Sequence, residues 1–125
     1  MAYNVCIERL GEATIVAVSG RIDTAAAFDI KRTLAREISY RPRQVILDCT
    51  GVDYANSGGL GTLLSGLEAT GGASVAMKLC CGDGFVRHVL DVIGVTSLVD
   101  IFRSAQMALG FPADQIFHDP RTVTA

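Results

Sequence analysis

The chain has 125 residues, half of them hydrophobic, with few aromatics and no Trp, which describes one domain built on a single aliphatic core. Its net charge is −2, with acidic and basic residues spread along the chain, so nothing in its electrostatics suits nucleic acid or an anionic membrane surface. No apolar run approaches the roughly 20 residues of a membrane span, and the N-terminal Met-Ala-Tyr-Asn-Val-Cys-Ile-Glu lacks the basic and apolar segments of a signal peptide; the expectation is a cytoplasmic protein with no membrane insertion.

Tyr3, Val5 and Ile7 alternate with Asn4, Cys6 and Glu8, the period of a half-buried strand. A second strand follows at residues 13–19, and Leu10-Gly11-Glu12-Ala13 between them suits a two-residue type II′ hairpin turn. Gly20-Arg21-Ile22-Asp23 ends the hairpin and leads into a helix that Asp23 or Thr24 can cap. Ala27, Ile30, Leu34 and Ile38 form its apolar stripe, with Asp29, Lys31, Arg32, Arg36 and Glu37 largely on the other faces. Pro42 stops it before the next strand.

The chain is organised around residues 45–69. Val45-Ile46-Leu47 reads as a buried strand, polar residues and glycine break the pattern from Asp48 through Asn56, and Leu60, Leu63, Leu64 and Leu67 form one helical stripe. Between them sits Asn56-Ser57-Gly58-Gly59. Asn56 or Ser57 can accept a hydrogen bond from the first-turn amides, which have no partner within the helix. The same amides and the helix dipole stabilise an anion, including a phosphate on Ser57, which would add roughly −1.5 to −2 charges. Gly58 and Gly59 leave that hydroxyl little shielded. An ordinary cap explains the same residues.

Thr70-Gly71-Gly72 ends this helix. Residues 74–80 form the next strand, and Gly82-Asp83-Gly84 turns it into a helix with Val86, Val89, Leu90 and Ile93 on one stripe, closed by Gly94. Residues 97–101 are a short last strand, and Ser104 caps a short helix over residues 105–109, stopped by Gly110. Weak patterning after Pro112 divides the chain into a domain at 1–111 and a tail at 112–125. The order β-β-α-β-α-β-α-β-α predicts an α/β fold, a mixed sheet packed with helices, because strand–helix–strand units pair in parallel through right-handed crossovers.

No enzyme is legible. His88 and His118 stand in no recognisable motif and read as surface residues, Gly59-Leu60-Gly61 and Gly82-Asp83-Gly84 are not nucleotide loops, and Asp48 and Asp53 are explained by a strand end and a turn. Cys6, Cys49, Cys80 and Cys81 lie in or beside apolar strands as small buried hydrophobes, without the spacing of a metal site. Neither a metal nor a cofactor is expected.

The run from Leu47 to Gly61, LDCTGVDYANSGGLG, resembles the signature of STAS domains and within them is most similar to the bacterial anti-sigma factor antagonists. Their usual pattern is a strand ending in Leu-Asp, a Gly-Val-Asp turn, then Asp-Ser-Ser-Gly-Leu-Gly. Matched position by position, the serine that a combined serine kinase and anti-sigma factor phosphorylates is Ser57. Asn56 replaces the family's Asp and Gly58 its second Ser, while the acceptor hydroxyl is retained. Gly20-Arg21-Ile22-Asp23 matches a segment that lies near that serine and belongs to the partner surface. The resemblance covers about residues 4–109, including the Ile-Gly-Val and Leu-Val-x-Ile-Phe-x-Ser tract near the end. It implies a STAS-like fold and a phosphorylation-switched binding module, not an enzyme. Asp23, Asn56, Ser57, Gly58 and Gly59 would contact an anti-sigma factor/serine protein kinase, and a serine phosphatase would reverse the switch. Two alternatives stand beside it: a scaffold or docking subunit of a signalling or transport complex, and a domain that holds a nucleotide phosphate or other anion at Ser57-Gly58-Gly59.

Overall fold

The structure, a computed structural model, describes residues 3–68, 75–82, 84, 87–88, 91–92 and 100–110, the side chains of 63–68 excepted. Strands β1 (Tyr3–Leu10) and β2 (Ala13–Ile22) form an antiparallel hairpin. Leu10 pairs with Ala13, so Gly11 and Glu12 are the whole loop, and among the loop residues only Gly11 has a left-handed φ, +61°. Positive φ at the first loop position alone is the type II′ pattern, which glycine adopts without a Cβ penalty. Tyr3, Val5 and Ile7 are half-buried and Asn4, Cys6 and Glu8 exposed, as the alternation predicts. Cys6 therefore departs from the expectation of a buried thiol, because its side of β1 is not covered.

Helix α1 (Thr24–Ser39) follows β2, then β3 (Gln44–Ala55), α2 (Ser57–Glu68), β4 (Ala76–Cys80), β5 (Asp100–Phe102) and α3 (Ala105–Leu109). Arg87, His88, Asp91 and Val92 are helical, in the stretch where the sequence places a helix between β4 and β5. That helix's proposed stripe, the side chains of the stripe residues Leu63, Leu64 and Leu67, strand residues 74 and 97–99, the Gly71-Gly72 and Gly94 stops, His118 and the tail at 112–125 lie outside the description. The sheet order is β1-β2-β3-β4-β5, with every pair after the first parallel.

Stepping the same way across the sheet, right-handed crossovers put α1 and α2 on one face. Between them and the sheet lies the larger core, including Val16, Val18, Ile30, Leu34, Val45, Leu47, Leu60 and Leu79. The opposite face carries a smaller cluster of Ile15, Ile46, Cys80 and Phe102, which α3 covers through Ala108. Ser104 caps α3 as expected, accepting the Met107 N–H at 3.2 Å.

Three local expectations fail for one reason. Strand β2 continues to Ile22 rather than ending at Ser19, and β3 continues as far as Ala55, although a break is expected from Asp48 to Asn56. The two extensions pair with each other through Ile22↔Ala55. From Ala17 to Ser19 the partner advances from Asp48 to Gly51, and from Gly20 to Arg21 it advances from Val52 to Tyr54, so β3 carries one extra residue at each step. These are β-bulges, and they disguise a strand as a turn. Asp48 closes the first, its Oδ1 accepting the Thr50 N–H at 3.0 Å and the Thr50 hydroxyl at 2.7 Å. Asp53 lies within the strand, not in a turn.

Glu37 is a further correction, with a different cause. Expected away from the core, it is completely buried. Arg9 from β1 donates from Nε at 3.1 Å and from Nη2 at 2.9 Å to its carboxylate, and Arg36 Nε lies 3.3 Å away. The pair joins the C-terminal half of α1 to the hairpin, a contact that periodicity along one helix does not report.

Candidate partner-binding site

Because Ile22 and Ala55 are register partners on parallel strands, α1 and α2 begin side by side at one edge of the sheet. Asp23 caps α1, its Oδ1 accepting the Ala26 N–H at 2.9 Å. Asn56 caps α2, its Oδ1 accepting the Gly59 N–H at 2.6 Å, while the Leu60 N–H donates to the Asn56 carbonyl at 3.0 Å. Ser57 is thus the first residue of the helix and not its cap. Its side chain is exposed and makes no hydrogen bond among the described residues. The sequence left the cap open between Asn56 and Ser57; the longer Asn side chain takes the task.

The junction is held by close backbone approach. A Cβ on Gly59 would meet the Ile22 carbonyl oxygen at 2.7 Å and the Asp23 carbonyl oxygen at 3.0 Å, and the Asn56 N–H donates to the Ile22 carbonyl at 3.3 Å. Gly59 is buried for this reason, whereas Gly58 and Ser57 are exposed. A Cβ on Gly58 would lie 3.0 Å from the Thr24 hydroxyl. The five predicted residues Asp23, Asn56, Ser57, Gly58 and Gly59 are therefore one cluster, with Asp23 and Asn56 capping, Gly59 buried in the joint, and Ser57 and Gly58 presented to solvent.

The structure adds two residues to this surface. Thr24 brings a second exposed hydroxyl beside Gly58. Phe28, one turn further along α1, is 54% exposed. The signal for Phe28 was present in the sequence: it is a large apolar residue off the stripe of Ala27, Ile30, Leu34 and Ile38. Arg21 stacks on the Tyr54 ring at 4.2 Å where the two extended strands run together, next to the same edge.

Both helix N-termini point their unpaired amides and positive dipole ends to this edge. Burial pushes the Cys49 and Cys80 thiols far above their ordinary range, which leaves them protonated and unreactive. Among the described residues no cluster of His, Cys, Asp or Glu has the arrangement of a metal site, and no helix is long and apolar enough to cross a membrane. His88 is exposed, as expected.

Comparison with known proteins agrees with this architecture. The chain is 24% identical over 102 residues to BtrV of Bordetella bronchiseptica, named as an anti-sigma factor antagonist, covering 82% of this chain and 88% of that one. Its fold superposes on an anti-sigma factor antagonist from Mycobacterium paratuberculosis with a TM-score of 0.78 at 19% identity, over 86% of this chain and 92% of the other. The Bacillus cell fate determinant SpoIIAA in its phosphorylated form superposes with a TM-score of 0.62 at 15% identity, over 86% and 97% of the two chains. Residues 4–108 match the sequence model of the STAS domain, nearly the whole span from β1 to α3, and the chain belongs to the STAS domain family.

Proposed function

We propose that this protein is an anti-sigma factor antagonist: a phosphorylation-switched module, acting in the cytoplasm, that captures an anti-sigma factor with serine kinase activity and so releases a sigma factor. The observation that carries the reading is the exposed Ser57 hydroxyl at the first position of α2, with capping already done by Asn56. An acceptor that holds no structural hydrogen bond is modified without dismantling the helix start. The relatives named as anti-sigma factor antagonists, and the solved phosphorylated form of SpoIIAA, which also bears that name, support the same reading.

In the unmodified state the surface of Asp23, Thr24, Phe28, Ser57 and Gly58 docks on the partner. Ser57 Oγ attacks the γ-phosphorus of ATP held by that partner; the bond to the bridging oxygen breaks, ADP leaves, and the hydroxyl proton passes to a base of the kinase. The product carries roughly −1.5 to −2 charges at pH 7. At the helix start they are stabilised by the amides and the dipole, so the fold tolerates them. In a docked interface they are buried without compensation, which costs several kcal/mol and weakens binding by orders of magnitude. A serine phosphatase hydrolyses the ester and restores docking.

The test uses Ser57→Ala and Ser57→Asp proteins as baits in extracts of the source cell. An ATP-binding serine kinase retained by the alanine form and lost from the aspartate form supports the switch. Identical partners on both baits, transport or scaffold proteins among them, would make the module a constitutive dock.

A further inference from the structure

At the other end of the sheet, the hairpin, the C-terminus of α1 and the connection leading to β3 enclose an open cleft of about 420 Å³ lined by Arg9, Gly11, Glu12, Thr14, Tyr40 and Pro42. The 12 residues of β3 separate it from Ser57, a span of roughly 35–40 Å at about 3.3 Å per residue. We propose that this cleft is a second binding site, independent of the Ser57 surface, that takes a carboxylate-rich segment of a protein partner.

Charge is the first argument. Arg9 and Glu12 are the charged residues of the lining. Exposed Arg43 stands against Glu12, exposed Arg41 lies in the chain between the lining residues Tyr40 and Pro42, and Arg36 is paired with Glu37. The lining and its immediate flanks thus carry four arginines against two glutamates in a chain whose net charge is −2. Glu37 is completely buried and spent on Arg9 and Arg36. Glu12 is the one carboxylate facing the cleft among its lining residues, and it stands at 3.9 Å from Arg43 Nη1, a contact an incoming carboxylate can exchange.

The second argument is preorganisation. The buried carboxylate fixes Arg9 through Nε and Nη2, the Tyr40 ring lies 5.5 Å from its guanidinium carbon, and 60% of the side chain still faces solvent. The N–H groups on its outer side are therefore aimed without further loss of rotamer freedom, in the planar fork that matches a carboxylate. Tyr40, itself 64% exposed, and Pro42 supply apolar surface for the aliphatic stem of a Glu side chain. Between them Arg41 is held at φ +54°, left-handed although the next residue is proline. A residue before proline prefers extended backbone, and strain of this kind collects at functional surfaces.

The shape selects the class of ligand. An open cleft covers little of a small anion, which enclosed pockets bind, whereas an extended acidic segment can lie along it and meet Arg9, Arg41 and Arg43 in turn.

Titrating the isotope-labelled full chain with a short polyglutamate peptide, followed by amide NMR, tests this. Shifts are expected at Arg9, Gly11, Thr14 and Tyr40 and not at Ser57 to Gly59. Affinity is expected to fall at least about tenfold in an Arg41→Glu, Arg43→Glu double variant, and to stay unchanged in Arg32→Glu and Ser57→Asp. The single exposed change Arg43→Ala, expected to weaken binding by a smaller factor, serves if the double variant does not fold. Absence of shifts, shifts confined to other residues, or equal affinity in the variants would overturn the proposal. So would inorganic phosphate or ATP saturating the same amides at lower concentration than the peptide, which would make this a small-anion site.

Discussion

Asn56 and Ser57 are adjacent small polar residues with divided tasks. The Asn56 side chain satisfies an amide that α2 itself leaves without a partner, and Ser57 satisfies none. Asn56→Ala is therefore expected to lower stability by roughly 0.5–2 kcal/mol, and Ser57→Ala by less than about 0.5 kcal/mol; urea unfolding of the two variants checks the order. Reversal of that order would return the cap to Ser57. Phe28 extends the argument along α1. A phenylalanine that is 54% exposed stabilises the isolated fold little, yet it offers a partner a large apolar anchor beside Gly58. Phe28→Ala should leave stability within about 0.5 kcal/mol while weakening capture of the proposed kinase partner by roughly tenfold or more. Unchanged capture would remove Phe28 from the interface.

At the scale of elements, the site exists because two strand–helix junctions share one register. Bulges in β3 absorb its two extra residues, and the strands arrive together at Ile22 and Ala55. The α2 backbone then enters against the carbonyls of Ile22 and Asp23, with space for hydrogen at position 59 and for nothing larger. Gly59→Ala should cost about 1–3 kcal/mol, since its methyl would press on backbone that has no rotamer to yield. Changed amide shifts at Asp23 and Thr24 would show that the whole junction moved. A fully stable Gly59→Ala with an unperturbed junction would mean that the helices approach less closely. Gly58→Ala makes the paired control, because its neighbour is the Thr24 side chain, which can turn away.

On the scale of the whole molecule, the two faces of the sheet are held by different physics. The α1–α2 face is an aliphatic core; the α3 face is smaller and contains a buried cation. Lys78 Nζ donates to the Ala108 carbonyl at 2.6 Å and stands 5.4 Å from the centre of the Phe102 ring, tying α3 to β4 and β5. Burial lowers its pKa from the usual 10.5, opposed in part by Asp100. With the folded value below the unfolded one, the unfolded chain binds the proton more strongly, so this group's contribution to stability grows as pH rises from the folded value to 10.5. Lys78→Met should change stability at pH 7 little, losing the carbonyl contact and the desolvation cost together. The difference between wild type and variant should then move in favour of wild type as the pH is raised toward 10.5. Denaturation at several alkaline pH values checks this; a constant difference would mean that Lys78 titrates as it would in water. Tyr3, raised from 10.0 first by its hydrogen bond to Asp29, loses its contribution as pH rises above 10.0 toward its folded value, but identically in both proteins.

The sequence alone determined whatever depends on neighbours a few residues away. The alternation in β1, the Gly11-Glu12 turn, the Asp23 and Ser104 caps, the α1 stripe and the strand–helix order are all of this kind. So is the LDCTGVDYANSGGLG run, from which the family and four of the five clustered residues were legible, the fifth, Asp23, coming from the match of Gly20-Arg21-Ile22-Asp23. Only tertiary structure decided the rest. The stretch from Asp48 to Ala55 is a strand because Ala17 to Ile22, far away in the chain, pairs with it. Glu37 lies inside because Arg9 on another element neutralises it there. Thr24 and Phe28 join Ser57 because parallel pairing starts both helices at one edge. Local rules act through bonds and turns of a few residues; pairing, burial and charge compensation act through contacts that the chain makes only after it has closed on itself.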